Sequence, residues 1–198
     1  MTEIRPYKIA GNWVDGYALD THTISSEFLG YDGFGHEIFD TKRSKLGELL
    51  YRLKSKQNIN VKDQIVEIAI NFINSQWKDI IDGIIPIPPS NVGRRVQPVI
   101  VIAKDIADKL GINLYEKALM KIKETPELKN VLDFHARLAI LKDIFHVNAQ
   151  QTEGKLLLLF DDLFRSGATL NAATEALYQQ GKAGKVYVLT LTRTRILK

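Results

Sequence analysis

The sequence contains no cysteine, which removes disulfides, thiolate metal sites and cysteine nucleophiles together and leaves the redox compartment open by that route. Its four histidines, His22, His36, His135 and His146, include no pair at zinc-ligand spacing, and they read as ordinary surface or core residues. No apolar run approaches the about 18 residues a membrane-spanning helix needs. The opening MTEIRPYKIAGNW lacks the basic start and apolar core of a signal peptide, so a cytoplasmic location with no membrane segment is expected. Neither G-x-x-x-x-G-K-[ST] nor a G-x-G-x-x-G following a strand occurs, which excludes the common triphosphate and dinucleotide loops. There is also no internal repeat and no low-complexity linker.

What is present is a chain of 198 residues, enough for one domain with a full core plus a small appendage. Hydrophobic residues at 45% and charged residues at 25% are ordinary for a globular fold and exclude wholesale disorder. The net charge of +4 permits a phosphorylated ligand or a nucleic-acid surface and demands neither.

The texture changes near residue 40. Residues 1–41 are rich in aromatics, Gly and Thr and read as a β-rich hood with a turn over 31–35. Residues 42–198 read as an α/β domain. Leu46, Leu49, Leu50 and Leu53, then Ile65, Ile68, Ala69, Phe72 and Ile73, recur at helical spacing. Residues 83–88 form a short apolar strand stopped by prolines, and Val99, Ile102, Ala103, Ile106 and Leu110 mark a helix ending at Gly111. A short strand over 112–115 precedes a charged stretch, 120–145, whose first half, interrupted by Pro126, reads as a mobile loop. The continuous apolar run 155–160 predicts a strand covered on both faces. A helix from Leu170 to Gly181 and a last strand over 185–194 follow. Strand alternating with helix at these lengths predicts a parallel sheet flanked by helices.

The chemistry concentrates in FDDLFRSGAT, residues 160–169. In open parallel sheets ligands bind beyond the carboxyl ends of the strands, which is where Asp161 and Asp162 fall. Arg165, Ser166, Gly167, Ala168 and Thr169 then lead into a helix N-terminus, whose unpaired N–H groups and positive dipole end attract a phosphate. Carboxylates repel a phosphate, so they suit neutral hydroxyls beside it, such as those of a sugar. The residues alone also allow a plainer account, exposed loop acids followed by a helix cap.

LLLLFDDLFRSGATL resembles the phosphoribosyl pyrophosphate (PRPP) signature of type I phosphoribosyltransferases: four apolar residues, two acids and a phosphate loop. The order of parts over residues 44–195 resembles the ComF-type, competence-associated branch, through LLYRLKS, GIIPIPPSNVGRR, KETPELKN, the signature and VLTLTRT. The resemblance implies a type I phosphoribosyltransferase fold, a Rossmann-like parallel sheet, and an enzyme that uses Mg²⁺ and PRPP to join ribose 5-phosphate to a nitrogen nucleophile, a base or an amine. It implies Asp161 and Asp162 at the ribose and residues 165–169 at the 5-phosphate. Pro89, Ser90, Arg94 and Arg95 then belong to the pyrophosphate loop, where adjacent arginines suit a diphosphate. Lys121, Lys123 and Arg137 belong to a flexible loop closing over the reacting centre.

Three departures stand out. Arg165 replaces the commoner Thr, Leu128 and Leu141 stand near places where ComF-type chains carry Gln and Asn, and the four-cysteine zinc module is missing. They motivate a non-catalytic alternative, a PRPP-binding sensor or accessory protein of DNA uptake. The aromatics Trp13, Tyr17, Phe28, Tyr31, Phe34 and Phe39 suit packing of the hood; basic residues, which single-stranded nucleic acid would need, are sparse among them. A homodimer is left open.

Overall fold

The computed structural model describes residues 4–89, 93, 97–123 and 143–195. Among them, six strands form one sheet in the order β1-β2-β10-β9-β5-β6. These are β1 (Tyr7–Lys8), β2 (Asp15–Thr21), β5 (Gly83–Pro86), β6 (Asn113–Leu114), β9 (Leu156–Phe164) and β10 (Lys185–Arg193). All neighbours are parallel except β1 and β2. The remaining strands pair as antiparallel hairpins, β3 (Thr23–Tyr31) with β4 (Glu37–Arg43) and β7 (Leu119–Lys121) with β8 (Phe145–Val147). The chain is therefore α/β, a mainly parallel sheet flanked by helices, as the strand and helix alternation predicts.

Alternation along the strands builds a core on each face of the sheet. Leu158 and Phe160 of β9 join Ile84, Leu189 and Leu191 under α1 (Lys45–Ser55), α2 (Lys62–Trp77) and α3 (Pro98–Leu110). Leu157 and Leu159 join Ile85, Val186 and Val188 under α5 (Ala168–Gln179); a single turn, α4 (Ala149–Thr152), precedes β9. Each of these fully buried apolar side chains contributes about 1.5–3 kcal/mol by leaving water. Gly111 ends α3 in the left-handed conformation at φ 67°, which a residue without Cβ adopts freely.

Two features differ from the sequence reading. Strands β1 and β2 lie within the main sheet, so the part of the N-terminal segment outside it is the β3–β4 hairpin, residues 23–43. Trp13 is buried, its indole N–H donating to the Ile9 carbonyl, and Tyr17 packs on Phe72 and Trp77. Phe28, Tyr31, Phe34 and Phe39 are exposed on the hairpin. The second difference is β9, which continues four residues beyond Phe160, because β10 is long enough to pair with Leu163 and Phe164. No helix among the described residues is long and apolar enough to cross a membrane.

The helix α1 is fixed against the corner between β2 and β3. Ser44 caps it, its hydroxyl accepting from the Gly47 N–H at 2.9 Å. A Cβ on Gly47 would overlap the His22 carbonyl oxygen. Alanine gains about 1 kcal/mol over glycine in a helix, whereas forced overpacking costs about 1–3 kcal/mol. Gly47→Ala is therefore expected to lower the midpoint of chemical denaturation; a midpoint equal to or above that of the unaltered protein would contradict this close approach.

Candidate active site at the carboxyl edge of the sheet

Three segments meet at the carboxyl edge of the sheet: the end of β9, the entrance to α5 and the end of β5. Ile87, just past β5, donates its N–H to the Phe160 carbonyl at 2.9 Å, which ties the chain leading to Pro89 to the start of the acidic stretch. Asp161 and Asp162 lie inside β9 rather than in a loop after it, so strand alternation sends them to opposite faces. Asp161 continues the row of Leu157 and Leu159, toward α5. Asp162 continues the row of Leu158 and Phe160, toward α1.

On the α1 side, Asp162 Oδ2 pairs with Lys54 Nζ at 2.6 Å, and both side chains are largely shielded, at 13% and 27% exposure. The Asp162 carbonyl accepts the Thr192 hydroxyl at 3.1 Å, and Thr192 Oγ1 lies 3.3 Å from His22 Nδ1. The hydroxyl has one proton and spends it on the carbonyl, so His22 meets it with a hydrogen on Nδ1. Burial first, then the nearby Lys54 and Arg43 cations, hold the His22 pKa below its ordinary value against the opposing pull of Asp162 and Glu48.

On the other face, Asp161 Oδ1 accepts the N–H of Asp162 at 2.8 Å. Burial, with the charge of Asp162 next, pushes the Asp161 carboxyl up to about 8, although that hydrogen bond and Lys54 act in the opposite direction. It retains partial solvent contact. The protonated form of Asp161 is thereby favoured well above the ordinary carboxyl range, and Lys54 sits against Asp162.

Residues 165–169 turn the chain into α5. Arg165 is exposed, Ser166 and Thr169 are half-buried, and Gly167 and Ala168 are buried. Gly167 occupies the N-cap at φ 77°, and a Cβ there would sit 3.0 Å from the Phe164 ring. Its carbonyl accepts from the Asn171 backbone N–H at 2.8 Å and from Asn171 Nδ2 at 2.9 Å. Asn171 is itself held by Asn12, which donates N–H to Oδ1 at 2.9 Å and Nδ2–H to the carbonyl at 3.1 Å. The turn is thus anchored from a distant part of the chain. The Ala168 N–H donates to Ser166 Oγ at 3.5 Å, and the N–H groups of Thr169 and Leu170 precede Asn171, the first intrahelical donor, and can serve an anion.

Pro89 is half-buried beyond β5. Ser90, Arg94 and Arg95 lie outside the described residues, as do Arg137, Leu128 and Leu141. Lys121 is on β7 and Lys123 follows it, exposed. Sequence reasoning missed Lys54 and His22 as neighbours of the acids. Lys54 stands in LLYRLKS, but only the packing of α1 on the sheet shows which acid it meets.

No protein-family model and no curated protein matches the chain. Solved structures similar to it include an adenine phosphoribosyltransferase, at 13% identity and a TM-score of 0.49 over 85% of this chain and 86% of that one. Another is the Trypanosoma brucei adenine phosphoribosyltransferase in complex with AMP, pyrophosphate and ribose-5-phosphate, at 11% identity and 0.49 over 99% and 96%. A third is the Leishmania tarentolae adenine phosphoribosyltransferase, at 10% and 0.48 over 96% and 94%. These are likenesses of chain path and bring no residue role with them.

The raised Asp161 pKa has a signed consequence for stability. The folded protein keeps this proton up to about pH 8, while the unfolded chain releases it near the ordinary value of 3.8. Stability from this group is complete below that lower value and is lost as pH rises through about 8. Urea titrations across this range should show stability falling with pH, and Asp161→Asn should flatten the fall. An equally steep fall in the variant would contradict the assignment.

Proposed function

We propose that this chain is a phosphoribosyltransferase-type enzyme that binds PRPP with Mg²⁺ and transfers ribose 5-phosphate to a nitrogen nucleophile, releasing pyrophosphate. The observation that carries this reading is the LLLLFDDLFRSGATL stretch: an acid-bearing strand end, then a glycine-capped turn into a helix N-terminus. The order of parts over residues 44–195 supports the ComF-like branch. In this reading the β3–β4 hairpin serves as the hood over residues 42–198.

The reaction forms a bond from the nucleophile's nitrogen to C1 of the ribose and breaks the bond from C1 to the diphosphate oxygen, which leaves with the electron pair, while the proton displaced from nitrogen passes to the departing diphosphate or to water. Asp161 and Asp162 hold the ribose hydroxyls and face the positive charge that grows on the ring. Residues 165–169 hold the 5-phosphate through backbone N–H groups and the Ser166 and Thr169 hydroxyls, and Arg165 supplies a cation at the rim. Pro89, Ser90, Arg94 and Arg95 form the diphosphate side, and Lys121, Lys123 and Arg137 close the reacting centre. Such a site contributes mainly by orientation and by donors aimed at developing charge.

Among the described residues no three metal-ligating side chains converge. In this reading a Mg²⁺ ion would be held mainly through PRPP itself rather than by a set of protein ligands. When bound, it would neutralise charge on the departing diphosphate.

A second reading, a PRPP-binding sensor or DNA-uptake accessory, is favoured by Leu128 and Leu141. Direct nucleic-acid binding by the hairpin is disfavoured by its charge, since Glu27, Asp32, Glu37 and Asp40 outnumber Lys42 and Arg43.

Calorimetry with PRPP and Mg²⁺ is expected to give binding that Asp161→Asn with Asp162→Asn abolishes while circular dichroism stays unchanged. Affinity retained by the double variant would overturn the site. Pyrophosphate release across a panel of bases and amines is expected for at least one acceptor; tight binding with no release under any acceptor would favour the sensor.

A further inference from the structure

A charged carboxylate beside a phosphate cradle poses a physical problem, because PRPP is a polyanion that Asp162 should repel. The structure holds a group that answers it. Lys54 lies in the last turn of α1, and its Nζ sits 2.6 Å from Asp162 Oδ2. Its neighbours Arg52 and Lys56 are exposed, whereas Lys54 is turned toward the sheet and largely shielded. Both ends of the pair are held in place: α1 by the Ser44 cap and the contact of Gly47 with the His22 carbonyl, and Asp162 by its carbonyl bond to Thr192. Exposed ion pairs contribute little, but a shielded pair between fixed partners controls local charge.

We infer that Lys54 is a positioning residue of the PRPP site, which pins Asp162 and cancels its charge so that a polyanion can settle against the strand end. This inference rests on the function proposed above. The charged and titratable groups around the strand end are Asp161 and Asp162 of β9, Lys54 and Glu48 of α1, His22 and Arg43 at the ends of the hairpin strands, and Asp20 of β2, in register with Thr192 of β10. Lys54 opposes the rise of the Asp161 pKa, so its removal moves that titration further upward.

The test uses the full chain with PRPP and Mg²⁺, titrated calorimetrically from about pH 6 to about pH 10, a span centred on the raised Asp161 value of about 8. Lys54→Met is expected to weaken PRPP at least about tenfold and to move the inflection in affinity to higher pH, the sign for loss of a neighbouring cation. Lys54→Arg is expected to restore most of the affinity and the original inflection. Should Lys54→Met fail to fold, Lys54→Gln, which keeps a polar partner for Asp162 without the charge, is read in the same way. Unchanged affinity and inflection in a folded, uncharged variant, in a protein that does bind PRPP, would overturn the role of Lys54 and leave the proposed function standing. Absence of PRPP binding by the unaltered protein would overturn both.

Discussion

The pairing of β9 with β10 runs past the last apolar residue of β9, and the arrangement of the candidate site depends on it. Because Leu163 and Phe164 still find partners in Thr192 and Arg193, the two acids are held in extended backbone and face opposite sides of the sheet. One acid thereby meets α1, which precedes β9 in sequence, and the other lies on the face covered by α5, which follows β9. Had the strand ended at Phe160, the acids would lie in a loop, with their directions set by the turn.

That division allows neighbouring carboxyl groups to have different electrostatic surroundings. Asp162 has a cation at contact distance. Asp161, more burdened by burial and by its neighbour's charge, holds a proton into the neutral range. The raised Asp161 pKa and the Lys54 cation against Asp162 each reduce the negative charge at this edge. The turn over residues 165–169 lies on the Asp161 side, where a protonated acid would repel an anion least. The turn itself is fixed by the Asn12 and Asn171 contacts and by the Phe164 ring under Gly167.

Much of this was legible in the sequence where a local rule governs. The leucines of α1, the glycine that ends α3 and the apolar run of β9 obey helix or strand periodicity, so their elements follow from short windows of sequence. The acids and the glycine turn were equally plain, because strand, acid pair and small-residue loop are contiguous. What was not legible depends on long-range pairing. Strand β2 belongs to the main sheet only because β10 lies beside it, about 170 residues further along the chain. The β7–β8 hairpin joins residues on either side of a charged stretch with no strand periodicity. Lys54 is an ordinary helical lysine until α1 packs on the sheet and meets Asp162.

The central claim is that the end of β9 holds a pentose through its acids while the entrance to α5 holds that sugar's phosphate. A crystal structure with PRPP and Mg²⁺ bound tests it most directly. The account predicts ribose hydroxyls at the Asp161 and Asp162 carboxyl groups and the 5-phosphate against the N–H groups of residues 165–169. Electron density for PRPP elsewhere on the molecule, with this edge of the sheet empty and the turn into α5 packed shut, would contradict it.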